Sequence, residues 1–132
     1  MNYLLDTHII LWSLFDPERL TKNIQSVLIN HPGGCFVSSI SFFEISLKFG
    51  LGKLQLNGLT PEDIFLEVKR LNYHILELSS EVTYDFYKLP QKIHQDPFDK
   101  MIVWQAIKNK MTLLSADDKL QVFVANGLKI SY

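Results

Sequence analysis

Five short apolar or β-branched runs, at residues 2–5, 35–38, 73–78, 111–114 and 128–131, recur along the chain with stretches of helical spacing between them. That alternation constrains the fold more than any other feature. Strands separated by helices do not form tight hairpins; they pair in parallel, and the crossovers lay helices on both faces of the sheet. The expected architecture is therefore α/β, with a mostly parallel central sheet and helices on both faces. Start and stop signals set the helices. Thr21 reads as the cap of a helix over 22–29, and Thr60-Pro61-Glu62 opens another that runs to about residue 71. Ser80 with Glu81 opens a third that ends before Pro90. Asp96, Pro97, Phe98 and Asp99 read as the cap and first three positions of a helix to about residue 110, and Asn126-Gly127 closes a shorter one from about residue 119. No repeat, low-complexity tract or linker divides the chain, so one domain over 1–132 is expected.

Charge is nearly balanced, with 13 Lys plus Arg against 14 Asp plus Glu and a net −1. That excludes a polyanion binder held by bulk charge and leaves room only for local nucleic-acid contacts. The lone Cys35 offers neither an internal disulfide nor a zinc ribbon, which suits a cytoplasmic protein. The N-terminal MNYLLDTHIILWSLF lacks a basic start and is broken by Asp6, well short of the roughly 20 apolar residues that span a bilayer. Neither a signal peptide nor a membrane helix is expected.

In an open parallel sheet, ligands gather where loops leave the carboxyl ends of the strands. Acids map to that edge from four places in the chain. Asp6 ends the first strand, Asp117 and Asp118 follow the fourth, Glu44 begins the helix after the second, and Asp99 lies in the first turn of the helix that leads into the fourth. Carboxylates so close raise one another's pKa and call for a cation. No Cys or paired His supplies a soft site there, so the donor set is oxygen only, which selects Mg²⁺ or Mn²⁺ over Zn²⁺. Such ions activate water and stabilise a leaving phosphodiester oxygen, as in metal-dependent nucleases. Capping competes with this reading, because Ser41-x-x-Glu44, Asp96-x-x-Asp99 and Ser115-x-x-Asp118 all carry the capping pattern. Asp6 resists it: an acid between Leu5 and Ile9 has no charge partner nearby in sequence and is costly to bury alone.

Taken together, the segments LLDTHIILW, SSISFFEISLKFGLGKL, HQDPFDKMIVWQA and LLSADDKL resemble the PIN-domain family, specifically the VapC-like toxins of type II toxin-antitoxin pairs, over nearly the whole chain. The resemblance implies a PIN-like three-layer sandwich and a Mg²⁺- or Mn²⁺-dependent endoribonuclease that cleaves RNA by metal-activated water. It implies Asp6, Glu44, Asp99 and Asp117 as the metal-holding, catalytic set, and a small antitoxin and a second copy of the chain as partners. Asp96, Asp118, Ser115 and Thr7 are candidates for an outer ring of support. Asp117 is preferred to Asp118 because it sits nearer the strand end, leaving Asp118 to cap the short helix. Two residues depart from the family pattern. Lys100 stands where relatives usually carry Arg, keeping the charge but not the bidentate phosphate clamp, and Trp104 replaces a commonly smaller residue.

The remaining polar candidates read as structural. His8 and His94 read as surface or loop histidines, Lys48 as the i+4 ion-pair partner of Glu44, and Lys53, Lys92 and Lys100 as at most a small basic rim. Trp12 and Trp104 read as core. Phe42, Phe43, Phe49, Leu51 and Leu54 are more than one short helix face can bury, so an exposed apolar strip and a partner for it are expected. The rival to a nuclease is a catalytically idle PIN-like protein-binding module whose acids are only caps. An aspartyl-nucleophile phosphatase is weaker, because DTHI lacks the second acid two residues on. Neither G-x-x-x-x-G-K-[ST] nor G-x-G-x-x-G occurs, which argues against nucleotide-driven and dinucleotide chemistry.

Overall fold

The structure, a computed structural model, describes residues 1–94 and 96–132; Gln95, inside the HQDPFD segment, lies outside the described residues. Strands β1 (Tyr3–Leu5), β2 (Cys35–Ser38), β3 (His74–Leu76), β4 (Thr112–Leu114) and β5 (Lys129–Ser131) form one sheet in the order β3-β2-β1-β4-β5. Every neighbouring pair is parallel, so the sheet expected to be mostly parallel is wholly so. Leu5 registers with Val37 on one side and Leu114 on the other, which brings the carboxyl ends of the three central strands level.

Side chains alternate across the pleat, so successive leucines serve opposite cores. Leu5, Val37 and Leu114 join Ile9, Ile10, Ile24, Ile45, Ile64 and Val68, from helices α1 (Thr7–Phe15), α2 (Lys22–Asn30), α3 (Ser39–Gly50) and α4 (Pro61–Arg70). Leu4 and Leu113 join Val82, Ile102, Val103, Leu120 and Phe123, from α5 (Ser80–Thr83), α6 (Pro97–Lys108) and the 3₁₀ segment Asp118–Asn126. Two covered faces follow from handedness. The path from β1 to β3 steps one way along the sheet and the path from β3 to β5 steps back, so right-handed crossovers put their helices on opposite sides. The reversal leaves a crevice between the ends of β1 and β4.

Most helix ends match their caps. Thr60 and Asp63 form a reciprocal capping box, Asp96 Oδ1 accepts the amides of Phe98 and Asp99 at 2.8 and 3.2 Å, and Gly127 (φ 101°) closes the 3₁₀ segment in the left-handed region. The helix expected from Ser80 to near Pro90 ends at Thr83, whose hydroxyl donates back to the Ser80 carbonyl at 2.8 Å, and resumes only as a 3₁₀ turn at Phe86–Lys88. Among the described residues, no helix is long and apolar enough to cross a membrane.

Candidate functional site

Asp6 stands at the crevice because β1 ends there. Its amide donates to the Leu114 carbonyl at 2.9 Å, carrying the pairing with β4 one residue further. Its side chain caps α1: Oδ1 accepts from the Thr7 amide at 2.9 Å, while Oδ2 accepts from the Ser115 hydroxyl at 2.7 Å. Ser115, first after β4, in turn accepts from the Asp117 amide at 3.0 Å, which ties the two strand ends together. Asp6 is only 2% exposed, and no Lys or Arg pairs with it among the described residues. Burial pushes its pKa up to about 6 against the pull of the Ser115 and Thr7 bonds, and the Glu44 and Asp117 charges push the same way. His8 Nδ1 lies 3.6 Å from Asp6 Oδ2, and its Nε2 accepts the Ala116 amide at 2.9 Å. Burial holds the imidazole below its ordinary pKa.

Glu44 approaches from the second turn of α3 rather than its start. Ser38, not Ser41, caps that helix, accepting from the Ile40 amide at 3.0 Å, and the Ser41 hydroxyl lies 2.9 Å from the Thr7 hydroxyl instead. The capping box expected between Ser41 and Glu44 is therefore absent. Glu44 is buried; Oε2 pairs with Lys48 Nζ, and Oε1 has no hydrogen-bond partner among the described residues. Asp99, at the third position of α6, is pushed up to about 6 by burial, with its bond to His94 opposing and the Asp6, Asp96 and Glu44 charges adding. Carboxylate oxygens of Glu44, Asp96 and Asp99 lie within 4.8 Å of one another, and Asp99 also belongs to a second such group with His94 and Asp117. Asp6, Glu44, Asp96 and Asp99 line one pocket of 250 Å³ whose wall includes Leu11, Ile45, Lys48 and Leu54. An oxygen-rich pocket with an unmatched buried carboxylate oxygen fits a hard divalent cation.

The family model for the PIN domain matches residues 3–125. The chain belongs to the PIN-domain family. A curated relative, Ribonuclease VapC22 of Mycobacterium tuberculosis, is 27% identical over 118 residues, covering 89% of this chain and 88% of its own. VapBC2 from Rickettsia felis, solved bound to a DNA fragment from its promoter, superposes with a TM-score of 0.71 at 20% identity, covering 99% of this chain and 98% of that one. A toxin-antitoxin complex from Klebsiella pneumoniae gives 0.62 at 16% identity, covering 99% and 97%. At these identities the solved structures establish the PIN fold and no more.

Within this PIN domain the acids expected at the sheet edge divide unevenly. Asp6, Glu44 and Asp99 share the pocket with Asp96, which combines capping with a place in the cluster. Asp117 reaches Asp99 beside His94. It also accepts the Lys119 amide at 3.0 Å, so Asp117 rather than Asp118 caps the start of the 3₁₀ segment Asp118–Asn126; Asp118 is exposed. His94, expected as a loop histidine, sets its Nε2 3.1 Å from Asp99 Oδ2. The sole sequence signal for that contact is its place five residues before Asp99. Lys100 does not form a rim. It is 6% exposed and donates to the Gln91 carbonyl at 3.0 Å and to Gln91 Oε1 at 3.3 Å, anchoring the segment that carries His94. Trp104 is core, with its indole N–H donating to the Val82 carbonyl at 2.9 Å.

Proposed function

We propose that this PIN domain is a metal-dependent endoribonuclease, the toxin of a toxin-antitoxin pair, with Mg²⁺ or Mn²⁺ held by Asp6, Glu44, Asp99 and Asp117. One observation carries the reading: in a pocket where Asp6 is 2% exposed and, among the described residues, uncompensated by Lys or Arg, the buried Glu44 has no partner among them for Oε1. A domain that used these acids only as caps would gain nothing from that burial. When bound, a divalent ion lowers the pKa of a water and neutralises charge developing at the scissile phosphodiester.

The chain's own residues supply the framework. Ser115 and the Thr7 amide fix both oxygens of Asp6, so it presents one rotamer to the pocket. His94 holds one oxygen of Asp99, Oδ2, and the Lys100–Gln91 bonds hold the segment from which His94 projects. Leu11 and Leu54 give the pocket an apolar wall, which lowers the local dielectric and strengthens the pull of the acids on a cation. The relative named Ribonuclease VapC22 supports RNA as substrate, and the toxin-antitoxin complex among the structural neighbours supports an antitoxin partner. An exposed strip on and just after α3, with Phe43 57% and Leu51 59% exposed, gives an antitoxin or a second copy an apolar face to cover; Phe42 and Leu54, expected in that strip, are half-buried instead.

The test is RNA cleavage in Mn²⁺ by wild type, Asp99→Asn and Asp96→Asn. Asp99→Asn should lose at least about a hundredfold in rate, about 2.7 kcal/mol of transition-state stabilisation, while keeping its fold. Asp96→Asn, which retains the cap oxygen, should lose less. Wild-type cleavage by Asp99→Asn removes that residue from the site, and no cleavage by any preparation, with or without metal, favours the idle binding module.

A further inference from the structure

The pocket holds four carboxylates, and among its described lining residues Lys48 is the one side chain with a fixed positive charge. Lys48 sits four residues after Glu44 on α3, so its ammonium falls on the same helix face and pairs with Glu44 Oε2. The two partners are unlike. The Glu44 side chain is 6% exposed and fixed by the core, whereas that of Lys48 is 41% exposed. A buried anion thus depends on a cation that reaches it from solvent and can return there, since an ammonium is strongly hydrated and its four-carbon stem is flexible. Glu44 is also the acid whose other oxygen is unmatched.

Resting on the reading of these acids as a metal site, we propose that Lys48 is a built-in competitor for that site, neutralising Glu44 until a divalent ion displaces it and so setting the metal concentration at which the pocket fills. A cation carrying two charges outbids one ammonium for the same oxygen, but only after breaking the Lys48 pair. Without the lysine, that step disappears.

The test is Mn²⁺ affinity by calorimetric titration without RNA, so that the readout is binding rather than turnover, for wild type, Lys48→Gln, Lys48→Arg and Lys53→Gln. Lys48→Gln should bind Mn²⁺ about tenfold more tightly, and the gain should survive 0.5 M salt because a contact pair is screened far less than distant charges. Lys48→Arg should bind no more tightly than wild type, and Lys53→Gln, which removes an equal charge beyond the pocket lining, should stay within about twofold of it. On ¹³C-labelled lysine, the Lys48 side-chain resonance should move toward free-lysine values in step with Mg²⁺ titration. Unchanged or weaker binding by Lys48→Gln, equal tightening by Lys53→Gln, or a Lys48 resonance indifferent to Mg²⁺ overturns the proposal while leaving the metal site intact. Absence of Mn²⁺ binding in all four proteins overturns the metal site and this proposal together.

Discussion

Asp6 and Asp85 are both buried acids, 2% and 8% exposed, and the chain treats them in opposite ways. Asp85, in the turn after α5, receives Lys108 Nζ at 2.7 Å and the Trp104 indole N–H at 3.2 Å. Its pKa is held below the usual carboxylate range, first by the bond from Lys108. Asp6 accepts from a hydroxyl and an amide and has no Lys or Arg partner among the described residues, and burial carries its pKa up to about 6. Where an acid serves to join α5 to α6, a cation from α6 answers it. At the switch point of the sheet four acids crowd one pocket with Lys48 as the one fixed cation among its described lining residues, and that imbalance of charge is what marks a binding site.

The largest effect that tests this contrast is on pH. Asp6 and Asp99 both stand near 6 when folded, against an ordinary value of 3.8. A bound divalent ion needs both deprotonated, so Mn²⁺ affinity should level off above about pH 7 and fall below it, by about thirtyfold for the two acids together between pH 6 and 5 and by up to roughly tenfold per unit for each acid at lower pH. Metal-free stability runs the other way. A folded pKa above the unfolded one contributes stability that is fully present below 3.8 and is lost as the pH rises through about 6. Urea melts without metal should therefore show Asp6→Asn gaining on wild type from pH 4 to pH 7. A flat Mn²⁺ affinity from pH 5 to 7.5 would contradict the raised values.

A smaller effect comes from the other side of the comparison. Lys108→Met should lower the urea midpoint, because Asp85, with its side chain 11% exposed, keeps its desolvation cost while losing the half-buried cation that offsets it. Mn²⁺ affinity should stay within about twofold of wild type. A loss of metal binding in that variant would mean that the two acids belong to one network.

Much of the fold is legible because strand and helix periods differ and caps punctuate them: all five strands fall within their expected runs, and α2, α4 and α6 are capped by Thr21, Thr60 and Asp96. The helix α1 is not. Its sequence THIILWSLF is apolar nearly all round and so shows no 3.6-residue period. The gathering of Asp6, Glu44 and Asp99 is legible because each lies near the carboxyl edge of a parallel sheet. What escapes is contact made through irregular chain. The approach of His94 to Asp99 and the burial of Lys100 on Gln91 depend on how residues 86–94 fold back, and no periodicity encodes that path. Ser41-x-x-Glu44 mimics a capping box and so places Glu44 at a helix start, while the true cap, Ser38, comes three residues earlier.

The most direct test of a metal site at the β1–β4 switch point is the melting temperature of wild type and Asp6→Asn at pH 7.5, with and without millimolar Mn²⁺. Asn can still accept the Thr7 amide, so the metal-free variant should melt no lower than wild type. Mn²⁺ at about 100 times its Kd should raise the wild-type melting temperature by roughly 5–10 °C, reversibly with EDTA, and should leave Asp6→Asn unmoved. An equal rise in both proteins would take Asp6 out of the site, and no rise in wild type would contradict a metal site there altogether.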